Sequence, residues 1–300
     1  MDPLVYYLVD KNDTSWSMRP WLVLVHFGIP FEEVSFVASD AQTPERIRAV
    51  SKAGPVPILR MGETIVHESL AILETLADLY PEHAIWPRDR EARARARCIA
   101  SEMHAGFRAL RTYHTMNLAL RTQASTDAPR RAELARFEEI VADARKRVPD
   151  DGGPFLFGAF SAADAMLAPM ATRIVSYGLP ASDVTRAWIE AVYALPAFQR
   201  WEREATEENR RRPPAARIGV PFDGSLAERI PEAPRYAVIF ESTLASESKD
   251  YSEVGSRMEE LARSSPGYIG HSSARNDDGT GTLERFKKKS YDAYAEIIKS

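Results

Sequence analysis

The first 80 residues contain apolar positions with two different spacings. Residues 3–9 (PLVYYLV) and 30–37 (PFEEVSFV) are short runs rich in β-branched and aromatic residues, which predicts two strands. Between them, apolar residues recur at helical spacing from Met18 onwards and stop at Gly28. We therefore expect an amphipathic helix that ends at this glycine.

Further elements follow directly after these strands. Pro44 suits the first position of a short helix, where its missing N–H does no harm. Residues 56–60 and 64–67 predict a hairpin that turns around Gly62, and residues 69–80 predict a largely buried helix. The order β-α-β-α-β-β-α predicts a compact α/β domain.

After residue 86 the apolar spacing becomes helical throughout. The arginine-rich residues 90–111 contain no proline and little glycine, which predicts one long helix. Residues 129–147 and 184–205 predict further helices, the second of them a single helix or a pair. Ser161 and Asp164 have the hydroxyl-to-acid spacing that starts a helix, so we assign both to structure. This second domain is predicted to be all-helical.

The composition changes again after residue 205. Residues 206–234 contain five prolines and many charges, which predicts a linker or surface strap. Residues 235–242 then predict a strand, residues 251–264 a helix, and residues 266–281 a strand between two turns. With a short helix at the end, the third unit is predicted to have the order β-α-β-(β)-α.

Composition excludes several classes of protein. A net charge of −4 and a pI near 6.0 give no general reason to expect a nucleic-acid partner. The single cysteine, Cys98, excludes an intramolecular disulfide and a cysteine-based zinc cluster, and we expect it to be inert within its helix. The histidines show no paired metal spacing, so we predict no metal. Neither a signal peptide nor a stretch of about 18 apolar residues occurs, so we expect a cytoplasmic protein without a membrane partner.

Three hydroxyls lie between the first strand and its helix, at Thr14, Ser15 and Ser17. The ordinary role of such residues is to cap the helix. A helix N-terminus also presents free N–H groups and a partial positive charge. A thiol bound there would have its thiolate stabilised by this field and by a hydroxyl donor. One helix start can serve both roles.

Two other features suit an extended peptide ligand. Val56-Pro57 opens the third strand, and a cis bond there would leave the Val56 backbone free to pair with a peptide. Glu68-Ser69 opens the next helix, where Ser69 can bind a carboxylate and Glu68 an ammonium group. With the hydroxyl cluster, these residues predict a site for a peptide thiol.

These motifs resemble the glutathione S-transferases, and among them the bacterial members near the zeta class. The resemblance covers about residues 4–205 and rests on TSWSMRPW, Val56-Pro57, Glu68-Ser69, EMHAGFRALR (102–111) and FLFGAFSAADAMLAPM (155–170). It implies a thioredoxin-like domain over residues 1–83 and an all-helical domain over residues 87–205. It also implies glutathione as co-substrate and a homodimer, with Val56 and Pro57 at the cysteinyl group and Glu68 and Ser69 at the γ-glutamyl group.

The resemblance places the thiol-activating hydroxyl at position 14, where relatives usually have serine. This chain has Thr14, whose methyl group restricts rotation of the side chain and crowds the sulfur. Ser15 and Ser17 are therefore alternatives.

On the predicted helix that would face the cleft, His104, Arg108 and Arg111 are expected to bind an acidic or polar electrophile. Conjugation and zeta-like cis–trans isomerisation of a dicarboxylic diketone are both open, as is a non-catalytic binding or assembly module.

Residues 235–300 resemble the antibiotic-biosynthesis monooxygenases, which are ferredoxin-like domains that pair into an α+β barrel. The resemblance rests on residues 236–242, 258–261, 266–270 and 273–276. Two departures are that Ser272 stands where relatives often have an acid, and that GTLERFKKKS (281–290) lacks the aromatic alternating strand that the family usually has next, with a final strand expected to be missing as well. We therefore interpret the domain as an incomplete copy, for dimerisation rather than for cofactor-free oxygenation.

Overall fold

A computed structural model describes residues 3–124 and 126–211, and beyond them the backbone of three strands between residues 237 and 288. The chain divides into two compact units, Met1–Pro231 and Glu232–Ser300.

The N-terminal domain has a four-stranded sheet in the order β2-β1-β3-β4. β1 is parallel to β2 and antiparallel to β3, and β3 and β4 form the predicted hairpin. The strands are β1 (Leu4–Val9), β2 (Glu32–Phe36), β3 (Ile58–Met61) and β4 (Thr64–His67), and the helices are α1 (Ser15–His26), α2 (Thr43–Val50) and α3 (Ser69–Leu79). The predicted order of elements is confirmed, and the arrangement is thioredoxin-like.

Helix α1 lies at the centre of the unit. Its apolar face is fully buried at Met18, Trp21 and Leu22, and it packs against α3, α7 and α9. Gly28 has a φ of +66°, which a glycine adopts easily, and it directs the chain away from the helix towards β2. Because α1 is held on several sides, the position of its N-terminus is well defined.

The helical domain contains the predicted helices with one correction. The helices are α4 (Arg90–Ala105), α5 (Arg108–Tyr113), α6 (Ala128–Arg145), α7 (Ala162–Tyr177), α8 (Asp183–Ala194) and α9 (Pro196–Arg211). The prediction of one helix over residues 90–111 was wrong, because Gly106 leaves the helix and Phe107 adopts a left-handed φ of +56°. A Cβ atom at Gly106 would lie 2.8 Å from the carbonyl oxygen of Glu102, so this break needs glycine.

Asp164 fixes the start of α7, which is buried along its whole length. Its carboxylate accepts hydrogen bonds from the Ser161 and Leu156 amides, at 3.0 and 2.9 Å, and from Trp188 Nε1 at 3.0 Å. Burial raises the pKa of Asp164, although these hydrogen bonds oppose the shift. The structural role predicted for Ser161 and Asp164 is confirmed. None of the helices in the described ranges is long and apolar enough to cross a membrane.

The C-terminal region differs from the prediction at one place. Residues 206–211, expected to begin the linker, continue α9. The optional strand of the predicted order is present: although residues 281–290 lack the aromatic alternation of the related family, β7 (Thr282–Lys288) pairs antiparallel with both β5 (Ala237–Glu241) and β6 (Tyr268–Arg275). Ladder hydrogen bonds come from the backbone, so a charge-rich segment can still form a central strand. The helices expected at residues 251–264 and near the end lie outside the described residues, and the ferredoxin-like fold stays a prediction.

Candidate active site

A cavity of about 830 Å³ lies between the start of α1 and the helical domain. One wall includes Thr14, Ser15 and Trp16 from α1 and its N-cap, together with Val56; the opposite wall includes His104, Arg108, Arg111 and Arg173. The helix break at Gly106 lets α4 and α5 contribute to the same wall. The three co-substrate residues predicted from the sequence therefore lie together, although on two helices rather than one.

The three hydroxyls of the α1 start have different surroundings. Thr14 occupies the N-cap position, but its side chain does not cap the helix; its Oγ1 donates to Ser17 Oγ at 2.8 Å. Ser17 is fully buried and does not line the cavity. The Ser15 hydroxyl lines the cavity and has no hydrogen-bond partner among the described residues. Ser15 is thus the hydroxyl that is free to donate to a ligand.

The predicted glutathione-binding residues lie in and beside the cavity. The Val56-Pro57 bond is cis, and Val56 lines the cavity whereas Pro57 is buried behind it. Ser69 is fully buried, and its hydroxyl has no hydrogen-bond partner among the residues that the structure describes. Glu68 has a φ of +73°, and its carboxylate lies 3.7 Å from His104 Nε2. Such a backbone angle is uncommon outside glycine, and strained angles of this kind cluster at ligand-binding and active sites.

Arg173 was missed by the sequence reasoning. It lies on the buried helix α7, and its guanidinium donates to the carbonyl oxygens of His114 and Pro169 at 2.8 and 2.9 Å. Burial lowers the pKa of Arg173 to about 10, so the side chain stays charged at neutral pH. The sequence feature that could have revealed Arg173 is that it is the one charged residue in the mostly apolar stretch 165–175.

Trp16 joins the two walls. Its ring lies 4.1 Å from Arg19 Cζ and 4.5 Å from Arg111 Cζ, and 5.2 Å from the His104 ring. Arg19 is fully buried, and its guanidinium makes no hydrogen bond within the part of the chain that the structure describes. Burial, followed by the charges of Arg173 and Arg111, lowers the pKa of Arg19. The guanidinium groups of Arg19 and Arg111 therefore both lie against the indole, and the charge of Glu68 opposes the shift.

His104 is a titratable residue of this wall. Burial lowers its pKa, Glu68 opposes the shift, and the charges of Arg19 and Arg111 lower it further. The imidazole is therefore neutral at pH 7. Cys98 is exposed on α4 and does not line the cavity. Among the described residues, no group of three or more His, Cys, Asp or Glu side chains could hold a metal ion.

The family of this unit follows from comparison with known proteins. Residues 14–79 match the N-terminal domain of the glutathione S-transferases, and residues 123–204 match their C-terminal domain. Residues 14–79 and 123–204 thus match the two domains that characterise the glutathione S-transferases.

Curated relatives point to one branch of this family. A probable maleylacetoacetate isomerase of Caenorhabditis elegans is 26% identical over 120 residues, which is 40% of this chain and 55% of that protein. A zeta-class glutathione S-transferase of Euphorbia esula is 32% identical over 91 residues, or 30% of this chain and 40% of that protein. Maleylacetoacetate isomerase of Rattus norvegicus is 25% identical over 203 residues, covering 65% of this chain and 90% of that protein. The chain thus spans about half the length of the first relative.

Solved structures share the fold. A Burkholderia glutathione transferase homologue with bound glutathione is 24% identical, covers 69% of this chain and 99% of its own, and has a TM-score of 0.51. A bacterial zeta-class maleyl pyruvate isomerase is 22% identical, covers 66% of this chain and 95% of its own, and also has a TM-score of 0.51. Both support the assignment of a thioredoxin-like domain followed by a helical domain.

Proposed function

We propose that this chain is a glutathione-dependent enzyme that activates the glutathione thiol and adds it to an anionic, electrophilic small molecule. One observation carries the proposal: a single cavity joins a helix N-terminus with a free hydroxyl, at Ser15, to a wall that contains three arginines. The first supports a thiolate and the second supports a carboxylate substrate.

In this proposal, Ser15 is the hydroxyl that donates to the sulfur. A thiol with a pKa of about 8.5 is only a few per cent ionised at pH 7, so the thiolate needs about 2.7 kcal/mol of stabilisation to become dominant. A hydroxyl donor and the N-terminus of α1 can supply this together. Thr14 is less suited, because its hydroxyl is already paired with Ser17. Val56, Glu68 and Ser69 are proposed to hold the peptide part of glutathione.

The proposed reaction is cis–trans isomerisation of a dicarboxylic diketone, ahead of simple conjugation. The thiolate adds to one carbon of the double bond, so a C–S bond forms while the π electrons move towards the conjugated carbonyl as an enolate. The remaining single bond rotates, the C–S bond breaks, and the thiolate is regenerated. Arg108, Arg111 and Arg173 would hold the carboxylates and stabilise the enolate. The names of the isomerase relatives support this order of preference.

Three measurements test the proposal: glutathione titration calorimetry, an isomerisation assay on a maleyl-type diketone, and a conjugation assay on a neutral aryl halide. We expect glutathione to bind and isomerisation to exceed conjugation. Ser15→Ala should lower kcat/KM about a hundredfold and raise the thiol pKa, read from thiolate absorbance, because it removes the donor. Thr14→Val, the matched control, should change kcat/KM by less than about threefold. Absence of glutathione binding would reject the proposal, and the opposite ranking of the two variants would move the donor to Thr14.

A non-catalytic glutathione-binding module is the second candidate. The hydrogen bond from Thr14 to Ser17 favours it, because the hydroxyl at the position where relatives usually carry serine is occupied within the protein. If the parent protein has no measurable turnover and Thr14→Ser creates it, this second candidate is correct.

We also propose that the protein is a cytoplasmic homodimer and that residues 235–300 form a monooxygenase-like domain used for dimerisation. The antiparallel sheet of β5, β7 and β6 supports an α+β domain in this region. Light scattering of the full chain should give twice the mass of 33.6 kDa. Oxygen uptake by the purified protein would instead support an oxygenase.

A further inference from the structure

Helix α5 is very short, although it carries two of the arginines that line the cavity. It has six residues, Arg108–Tyr113, and follows the left-handed Phe107, whose side chain cannot cap it. Isolated helices of this length are unstable in water, because nucleation fixes several residues for each hydrogen bond gained. Yet α5 presents both Arg108 and Arg111 to the cavity. Contacts from other elements must therefore hold it.

Glu133, on α6, makes the contact that replaces the missing cap. Its Oε1 accepts a hydrogen bond from the Ala109 amide at 3.0 Å, and its Oε2 accepts one from the Leu110 amide at 2.7 Å. A carboxylate that accepts from two free amides at a helix start satisfies them and opposes the positive end of the helix. Leu110 is fully buried, so the same turn is also anchored in the core.

The next residue along is Arg111. Its guanidinium donates to the carbonyl oxygens of His104 and Gly106 at 3.1 and 3.0 Å and stacks on Trp16. These contacts place the charge at the cavity wall only while the backbone of α5 stays where Glu133 holds it. No residue of the two sequence motifs around positions 14 and 68 performs this task.

We infer that Glu133 is a positioning residue, which holds α5 so that Arg108 and Arg111 bind the anionic co-substrate. The inference rests on the proposed function, because it assigns a residue to the carboxylate-binding half of that site. Glu133 itself carries a negative charge and lies outside the residues that line the cavity. Glu133 therefore acts on an anionic ligand only through α5. If it acted by charge repulsion instead, its removal would increase the affinity for that ligand.

The test compares Glu133→Ala and Glu133→Gln with Glu139→Gln, which lies on the same helix in an exposed pair with Arg136. The probe is succinate, an unreactive dicarboxylate, titrated by calorimetry, with glutathione titrated separately. We expect Glu133→Ala to weaken succinate binding about fivefold, the effect of losing a helix cap, and Glu133→Gln to lie between it and the parent. Glutathione affinity and the Glu139→Gln variant should stay within about twofold of the parent. Hydrogen exchange should quicken in α5 more than in α4.

The titrations distinguish a failure of the inference on Glu133 from a failure of the proposed function. Unchanged or tighter succinate binding in a folded Glu133→Ala protein overturns the inference, as does an equal loss of affinity for succinate and glutathione. A parent protein that binds glutathione but not succinate overturns it too, because the arginines then bind no dicarboxylate. A parent protein that binds succinate but not glutathione contradicts the proposed function instead. If Glu133→Ala does not fold, Glu133→Gln alone must show the selective loss.

Discussion

Lys11 and Arg19 are two basic residues on either side of the start of α1, and both are removed from water, with 3% and 0% of their surface exposed. Lys11 is fully paired. Its ammonium group binds Glu33 and, at 2.7 Å, Glu204, and it lies 5.7 Å from the centre of the Trp201 ring. These partners come from β2 and α9, so Lys11 joins the thioredoxin-like domain to the last helix of the helical domain.

Arg19 is buried under the opposite conditions. Its guanidinium stacks on Trp16 and makes no hydrogen bond with any described residue. Besides burial, the charges of Arg173 and Arg111, which have the same sign, lower its pKa, and the charge of Glu68 opposes them. A buried charge without a partner is costly, and proteins tolerate it mainly where a ligand or a reaction uses the potential. Lys11 therefore has a structural role, whereas Arg19 is buried behind the cavity and stacks on Trp16, which lines it.

Replacing Lys11 should produce the largest effect. Lys11→Met leaves Glu33 and Glu204 without their common partner. We expect the free energy of unfolding to fall by about 2–3 kcal/mol, somewhat below the value for a fully buried pair because both glutamates are partly exposed. Urea denaturation measures this, while the affinity of the folded protein for glutathione should stay the same. A loss below about 0.5 kcal/mol would remove the structural role assigned to Lys11.

Replacing Arg19 should have the opposite effect to replacing Lys11: ligand affinity should fall while stability is kept. In Arg19→Met the unpaired charge is lost, so thermal stability should stay equal or increase. Affinity for succinate should fall about tenfold, because the positive potential at the cavity wall is reduced. Arg90→Met, at an exposed position on α4, serves as the control in both measurements. A clear loss of stability with unchanged succinate binding would make Arg19 a structural residue like Lys11.

His114 is a third basic side chain that is removed from water, and its replacement should have the smallest effect of the three. It is 1% exposed, and neither ring nitrogen has a hydrogen-bond partner within the described ranges. Burial, followed by the charges of Arg130 and Arg173, lowers its pKa below the ordinary 6.5. The buried charge of Lys11 is paired, and that of Arg19 is not. His114 avoids the free-energy cost of burying a charge because its imidazole stays neutral.

The pH dependence follows from that lowered pKa. Between the folded-state pKa and 6.5 the unfolded chain binds more protons, so stability is complete above 6.5 and is lost as the pH falls. We expect Tm to drop between pH 7.5 and pH 5.5 and the drop to be smaller in His114→Phe, which keeps a ring against Tyr177. His26 and His104 have lowered pKa values too, so part of the drop should remain. An identical drop in His114→Phe would show that His114 does not contribute.

Local signals explain the parts of the fold and site that were predictable. The strands, the helices of both domains and the capping box at Ser161 and Asp164 each depend on residues within a few positions of one another. The cavity wall at Thr14 and Ser15 is local in the same sense, because β1, a short turn and α1 are consecutive in the chain. Periodicity could not reveal the break at Gly106, since nothing in the apolar spacing of residues 90–111 interrupts a helix.

The order of elements, the faces that they bury and the motifs at the start of α1 and α3 can be read from the amino-acid sequence. Which groups meet depends on the packing of the whole unit: Ser17 faces Thr14 rather than the cavity, Arg173 reaches the cationic wall, and Lys11 pairs with a glutamate 193 positions away. The physical reason is that spacing along a chain specifies which side of an element is apolar, whereas a contact between distant elements depends on how all of them pack together.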